Sequence, residues 1–297
     1  MNIDNCDEIQ KKIARDLSDG RLILMLGAGV SMGFNLPSWE NLLKNILNTS
    51  ETANDNSSLG LDELSVQIDD LEHDLKNDYG RYIEIVHNAL YSELKDTSLT
   101  SSFLTNAPLL LALGAMCVGS VRGRVNHVIT LNYDDILEQY LSMLGLKVNS
   151  GFDFKRPNFN SDVRIDHIHG YLPQKIDRKM MIPDNKIILS DASYAEVDNI
   201  ITPDLSHWLH NITLGYKFFL VGLSGRDNHI KRFLLGVNTK QPLKANEDSG
   251  YWILTENAYD EFHVGLSRLG FIVIKKAKED IPEYILKACA LAGSQNL

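Results

Sequence analysis

Cysteine is scarce in this 297-residue chain: Cys6, Cys117 and Cys289 lie far apart, with no Cys-x-x-Cys pair. That usage argues against a cysteine-built zinc module and against a disulfide framework, and it suits a reducing cytoplasm. Basic runs are missing too. Lys and Arg number 29 against 39 Asp and Glu, a formal net charge of -10. An acidic surface disfavours non-specific binding, so neither nucleic acid nor an anionic membrane is an expected partner. The longest apolar run, residues 109–118, has about half the length that a bilayer span needs. The opening residues, Met1 to Glu8, are polar and acidic, unlike a signal peptide. No internal repeat or low-complexity tail is present.

What remains is an ordinary globular composition, 44% hydrophobic and 23% charged. The length suits one large α/β domain with an insertion, or two modest domains. The most informative stretch is Arg21-Leu22-Ile23-Leu24-Met25-Leu26-Gly27-Ala28-Gly29-Val30-Ser31. An apolar run of this kind reads as a buried parallel strand. It ends in a Gly-Ala-Gly turn and a hydroxyl, followed by helical patterning. Strand, glycine turn and helix start together form a phosphate-binding device: backbone N–H groups approach the anion and the helix dipole favours it. The same stretch also reads as a plain tight connection. It is not a complete G-x-G-x-x-G, because Met32 stands where the third glycine belongs.

Helical spacing predicts a helix over residues 6–18, and Ser38 is a candidate cap for a stripe of Leu42, Leu43, Ile46 and Leu47. Residues 62–119 read as three helical segments. This block interrupts the strand–helix alternation. The expected division is therefore a Rossmann-like domain over 1–48 and 120–297, with a helical subdomain inserted at 49–119. Strand patterns follow at 125–131, 164–168, 217–222, 251–254 and 271–274, with a small strand expected at 187–189. Helices are expected near 136–144, from 191, over 204–215, 228–235 and 257–269, and from 281 to 292. Strands alternating with helices imply an α/β fold: a parallel sheet covered on both faces, with ligands at the carboxyl ends of its strands. Four strand ends carry small or polar groups: Gly27-Ala28-Gly29-Val30-Ser31, Asn132-Tyr133-Asp134, His169-Gly170 and Gly222-Leu223-Ser224.

These four motifs, in this order, resemble the sirtuins. Gly27-Ala28-Gly29 followed by Leu36-Pro37 is similar to the sirtuin NAD-binding opening. Thr130-Leu131-Asn132-Tyr133-Asp134 is similar to the threonine-glutamine-asparagine-x-aspartate motif, and His169-Gly170 to the catalytic histidine-glycine pair. Gly222-Leu223-Ser224 resembles the late glycine-x-serine segment that holds the nucleotide. The paired zinc cysteines of the deacylases are missing, and Ser38-Trp39-Glu40 replaces their aspartate, phenylalanine and arginine. In these departures the chain is more similar to the bacterial sirtuin-like effector domains of anti-phage defence. That resemblance implies an NAD+ hydrolase with NAD+ as substrate and no metal. It also implies a homo-oligomer, or a partner protein that gates the activity in abortive infection. The alternatives are an NAD-dependent protein deacylase and a non-catalytic module binding NAD or ADP-ribose.

Residue by residue, the candidates have double readings. Asn132 orients a water or a ribose hydroxyl, or it is a turn residue. His169 is the candidate general base, because imidazole titrates near neutral pH, or it is a histidine beside a tight turn. Asp134 orients Asn132 or ribose, or caps the next helix. Ser31 and Ser224 contact phosphate or ribose, or act as caps, and Asp227 binds ribose or caps its helix. Gly27, Ala28, Gly29 and Gly222 approach the cofactor-like substrate by backbone. Trp39 walls the nicotinamide pocket, as the resemblance implies, or sits in a core. Glu256 is a further candidate for the adenine ribose. His167 shares a strand face with His169 and reads as core or as a support behind the site. A metal held by these two histidines has no third ligand in view.

Overall fold

Apolar runs without a polar face form the centre of a seven-stranded sheet in which every pairing is parallel. The computed structural model describes residues 7–50, 59–94, 107–118, 124–151, 160–175, 187–189, 193, 215–226, 230–231, 234 and 248–295. Its elements up to the second strand are α1 (Glu8–Ser18), β1 (Leu22–Leu26), α2 (Trp39–Thr49), α3 (Leu61–Asp74), α4 (Tyr79–Tyr91), α5 (Pro108–Val118) and β2 (His127–Thr130). Then come α6 (Ile136–Met143), β3 (Val148–Gly151), β4 (Val163–His167), β5 (Lys217–Val221), β6 (Gly250–Leu254), α7 (Glu256–Arg268), β7 (Phe271–Lys275) and α8 (Ile281–Gln295). Strand order is β3-β4-β2-β1-β5-β6-β7. The chain leaves β1 toward β2 on one side and returns to β5 on the other. The topological switch point therefore falls between β1 and β5.

Both faces of the sheet are covered, as the α/β reading requires. Leu22, Leu24 and Leu26 of β1 face a core shared with α1, α5, α6 and α8. Ile23 and Met25 face the other core, which contains Leu266 of α7 together with Ile230 and Leu234. Burial on both faces is the reason β1 and β6 show no polar alternation. Helices α2, α3 and α4 have an apolar cluster of their own, which also takes in Tyr133, Leu172, Ile187 and Leu189. This layer covers the segments that follow β2 and β4. Helix α5 packs instead in the core beneath the sheet. No helix among the described residues is long and apolar enough to cross a membrane.

Several local features follow from side-chain chemistry. Asp7 and Gln10 form a reciprocal capping box at the start of α1. The buried Asp16 carboxylate takes the Tyr251 hydroxyl at 2.6 Å, Arg21 at 2.8 Å and Lys217 at 3.0 Å. That cluster ties the amino-terminal ends of β1, β5 and β6, opposite the motif-bearing edge.

The structure departs from the expected elements in three places. No α-helix follows the glycine turn directly. The chain makes two 3-10 turns, Ala28–Val30 and Met32–Phe34, then turns left-handed at Asn35 (φ 60°) before Pro37. The next α-helix, α2, begins only at Trp39, capped by Ser38, so its dipole does not act at Gly29. An edge strand at Val148–Gly151, polar and half-buried, escaped the hydrophobic pattern altogether. Among the described residues, 187–189 join no ladder. The helices expected from 191, over 204–215 and over 228–235 lie largely outside the described residues.

At the switch point two turns meet in van der Waals contact. Gly27 N–H donates to the Val221 carbonyl at 3.1 Å and Gly29 N–H to the Gly222 carbonyl at 3.0 Å. A Cβ on Gly27 would lie 2.4 Å from Leu223 Cδ2, and one on Gly29 would lie 2.8 Å from Gly222 Cα. Gly222 has φ +74°, and its Cβ would lie 2.9 Å from both the Gly27 carbonyl oxygen and the Val30 nitrogen. Gly222→Ala is therefore expected to lower the unfolding free energy by about 2–4 kcal/mol, from left-handed strain plus the clash. Urea unfolding measures it. A loss below about 0.5 kcal/mol would show that the two turns separate at little cost.

Candidate active site

Register decides which motifs meet. Leu26 pairs with Thr130 on one side and with Val221 on the other, and Thr130 pairs with His167. The residues just past these positions stand in one row along the sheet edge: His169, Asn132, Gly27 and Gly222. Motifs separated by up to two hundred residues in sequence become neighbours this way.

Asn132 is half-buried and held by both its backbone and its side chain. Its N–H donates to Thr130 Oγ1 at 3.1 Å. Its Nδ2 donates to the Gly27 carbonyl at 3.2 Å and to Ser31 Oγ at 3.0 Å. Ser31 Oγ donates in turn to Asp134 Oδ1 at 3.0 Å, which settles the direction of the chain: amide to hydroxyl to carboxylate. These bonds use the amide NH2 and reserve Oδ1 as an acceptor. Asp134 Oδ1 also takes the Ile136 N–H at 3.2 Å, one residue ahead of the α6 N-cap, Asp135.

His169 is 7% exposed. It sits on a turn that Gly170 makes possible, with φ +102°. Its carbonyl accepts the Ile188 N–H at 2.9 Å, and the Ile188 carbonyl accepts the Tyr133 hydroxyl. Residues 187–189 thus tie the histidine turn to the residue after Asn132. Trp39 stacks on Tyr133 with ring centroids 6.3 Å apart and packs in the α2–α4 core. Its stacking partner is the residue after Asn132.

Four backbone donors of the glycine turn bond to protein. Besides Gly27 and Gly29, Val30 N–H donates to Gly27 and Ser31 N–H to the Ala28 carbonyl, each at 3.0 Å. The small residues here answer to the approach of the Gly222 turn. Ser224 is exposed and accepts the Arg226 N–H at 3.3 Å. Asp227 lies outside the described residues. Glu256 is exposed in the first turn of α7.

His167 is fully buried. Its Nδ1 donates to the Asn132 carbonyl at 2.7 Å, and its Nε2 lies 2.6 Å from Glu138 Oε1. Both ring nitrogens are thus engaged with protein groups. Glu138 was invisible in the sequence, where a glutamate in a first helical turn reads as an ordinary dipole partner. Thr130 had a weak signal: a hydroxyl two residues before an Asn suggests a local side-chain turn. Burial pushes the Cys117 and Cys289 thiols up to about 12, which removes them as nucleophiles.

Fold and site together define a Rossmann-like α/β domain whose carboxyl edge gathers glycine, amide and imidazole groups at a switch point. Residues 126–269 match the family model described as the SIR2-like domain, which supports a sirtuin-like domain here and implies NAD+ use. The match spans just under half of the chain. It includes Asn132, Asp134, His169 and Gly222 and leaves out the Gly27 turn and the α2–α4 layer. No curated protein matches the chain.

Burial pushes the Asp134 carboxyl up to about 6, against the lowering effect of the Ser31 hydrogen bond. A carboxyl raised above its unfolded value of about 3.9 holds its proton in the folded state where the unfolded chain has lost it. Its contribution to stability is present in full below about pH 4 and is lost as pH rises through about 6. Asp134→Asn keeps an oxygen for Ser31 Oγ and the Ile136 N–H without the charge. The variant is expected to gain about 1–3 kcal/mol over the wild type near pH 7.5 and much less near pH 4.5. Urea unfolding at the two pH values tests this. A gap that fails to widen with pH refutes the assignment.

Proposed function

We propose that the protein is an NAD+ glycohydrolase that releases nicotinamide. The observation that carries this reading is that Asn132 and His169 each lie two residues past a paired strand position, Thr130 with His167, beside the Gly27 turn at the switch point. Cleavage of the nicotinamide–ribose bond needs no acid, because the cationic ring leaves as a neutral one. The glycosidic C–N electrons return to the pyridinium ring while the ribose develops oxocarbenium character. Water then adds at the anomeric carbon. Asn132 Oδ1 accepts a hydrogen bond from that water or from a ribose hydroxyl, and His169 takes the water proton. ADP-ribose, nicotinamide and one proton result.

Such an activity acting freely would drain the NAD+ of the cell that makes it. The same reading therefore includes an anti-phage effector role in the cytoplasm, with activity gated by self-assembly or by a partner protein. Incubation of the protein with NAD+ at several protein concentrations, with product identification, tests both parts. Asn132→Ala and His169→Ala are each expected to lower nicotinamide release by about 10²–10⁴-fold in variants that circular dichroism shows to be folded. Release that depends on added acyl-peptide would favour a deacylase. Tight NAD+ binding with no product, unchanged in His169→Ala, would favour a binding module and sink the hydrolase reading.

A further inference from the structure

His167 is completely buried two residues before the candidate base, and the reaction described above does not use it. A carbonyl oxygen only accepts, so the 2.7 Å contact to Asn132 requires a proton on Nδ1. The 2.6 Å contact from Nε2 to the Glu138 carboxylate takes a second proton. With that proton on Nε2 the ring is an imidazolium, and its charge partner Glu138 is itself buried. Asn132 is otherwise fixed at its N–H by Thr130 and at its Nδ2 by Gly27 and Ser31. His167 supplies the restraint on its carbonyl.

Resting on the NAD+-hydrolysis reading of this site, we propose that His167 is a positioning residue: a buried imidazolium, clamped between Glu138 and the Asn132 carbonyl, that holds Asn132 in place. The groups facing the ring are Glu138 from α6, Asp134 from the segment after β2, and the Tyr171 ring, 4.5 Å away, from the turn after β4. Burial by itself disfavours the charged ring. The Glu138 charge and hydrogen bond, the Asn132 carbonyl and Asp134 outweigh it and raise the imidazole above its ordinary value. At still higher pH the ring loses the Nε2 proton, its lone pair faces the Glu138 carboxylate, and the clamp opens. Glu138→Gln changes that outcome. A neutral imidazole then keeps Nδ1–H on the Asn132 carbonyl and accepts at Nε2 from the glutamine amide.

The test uses the full chain and three variants: His167→Ala, His167→Asn and Glu138→Gln. Two readouts are independent of turnover, namely the ¹⁵N spectrum of the His167 imidazole and the side-chain amide resonance of Asn132. The third is kcat and KM for nicotinamide release across pH. Expected in the wild type is a doubly protonated His167 near neutral pH and an alkaline fall in kcat. His167→Ala displaces the Asn132 amide resonance and lowers kcat about 100-fold, with KM less affected. His167→Asn, whose amide can donate where Nδ1 did, recovers about 10-fold of that loss. Glu138→Gln gives a neutral imidazole and no alkaline fall from this group. The clamp is overturned by a neutral wild-type imidazole, by an Asn132 resonance unmoved in His167→Ala, or by an alkaline limb unchanged in Glu138→Gln. If the wild type releases no nicotinamide, the hydrolysis reading fails, and the two spectroscopic readouts still decide the clamp.

Discussion

Two backbone turns touch at the centre of the sheet, and the rest of the site is arranged around that contact. The turn after β1 and the turn after β5 approach so closely that no Cβ fits at Gly27, Gly29 or Gly222. Their contact is sealed by N–H donations from Gly27 and Gly29 to the β5 side. Close approach fixes where the Gly27 carbonyl points, and that carbonyl anchors the Asn132 amide. The switch point between β1 and β5 is thus also where the neighbouring strand end takes its orientation.

From this contact outward, the site is a polar network in a buried setting. Each member has a defined partner: Asn132 on Gly27 and Ser31, Ser31 on Asp134, Asp134 on the first turn of α6, and His167 between Asn132 and Glu138. Buried polar groups are costly when any one lacks a partner, so a network of this kind has one low-energy arrangement. The cost is visible at Asp134, whose carboxyl resists ionisation. What the arrangement delivers is an amide whose oxygen is held as an acceptor without having to be reoriented during a reaction. The α2–α4 layer supports the same segment from the other side, through Tyr133 stacked on Trp39 and packed with Leu172 and Ile187.

Legibility in the sequence followed burial. Strands β1, β5 and β6 are sandwiched between two cores, so their runs lack polar interruption and stand out. The edge strand Val148–Gly151 exists only because its backbone pairs with Val163 and its neighbours; its side chains are half-exposed and carry no pattern. The glycines of the Gly27 turn were readable as a close approach, but the partner of that approach was not. That partner is Gly222. The helix that follows was readable from the Ser38 cap and the Leu42, Leu43, Ile46 and Leu47 stripe. The left-handed Asn35 and the following Pro37 deferred it to Trp39.

The chain by itself determined the α/β class, the four polar strand ends and their order, because apolar periodicity and glycine chemistry are local properties. It also placed His167 inside a strand and His169 just past the end of that strand, beside Gly170. Which residues touch was decided by parallel register, since pairing Thr130 with both Leu26 and His167 is a property of the whole sheet. Glu138 shows the limit most clearly. On a helix diagram it is one more acidic first-turn residue. Only the packing of α6 against the sheet brings its carboxylate to 2.6 Å from His167, where desolvation makes a single charge pair matter.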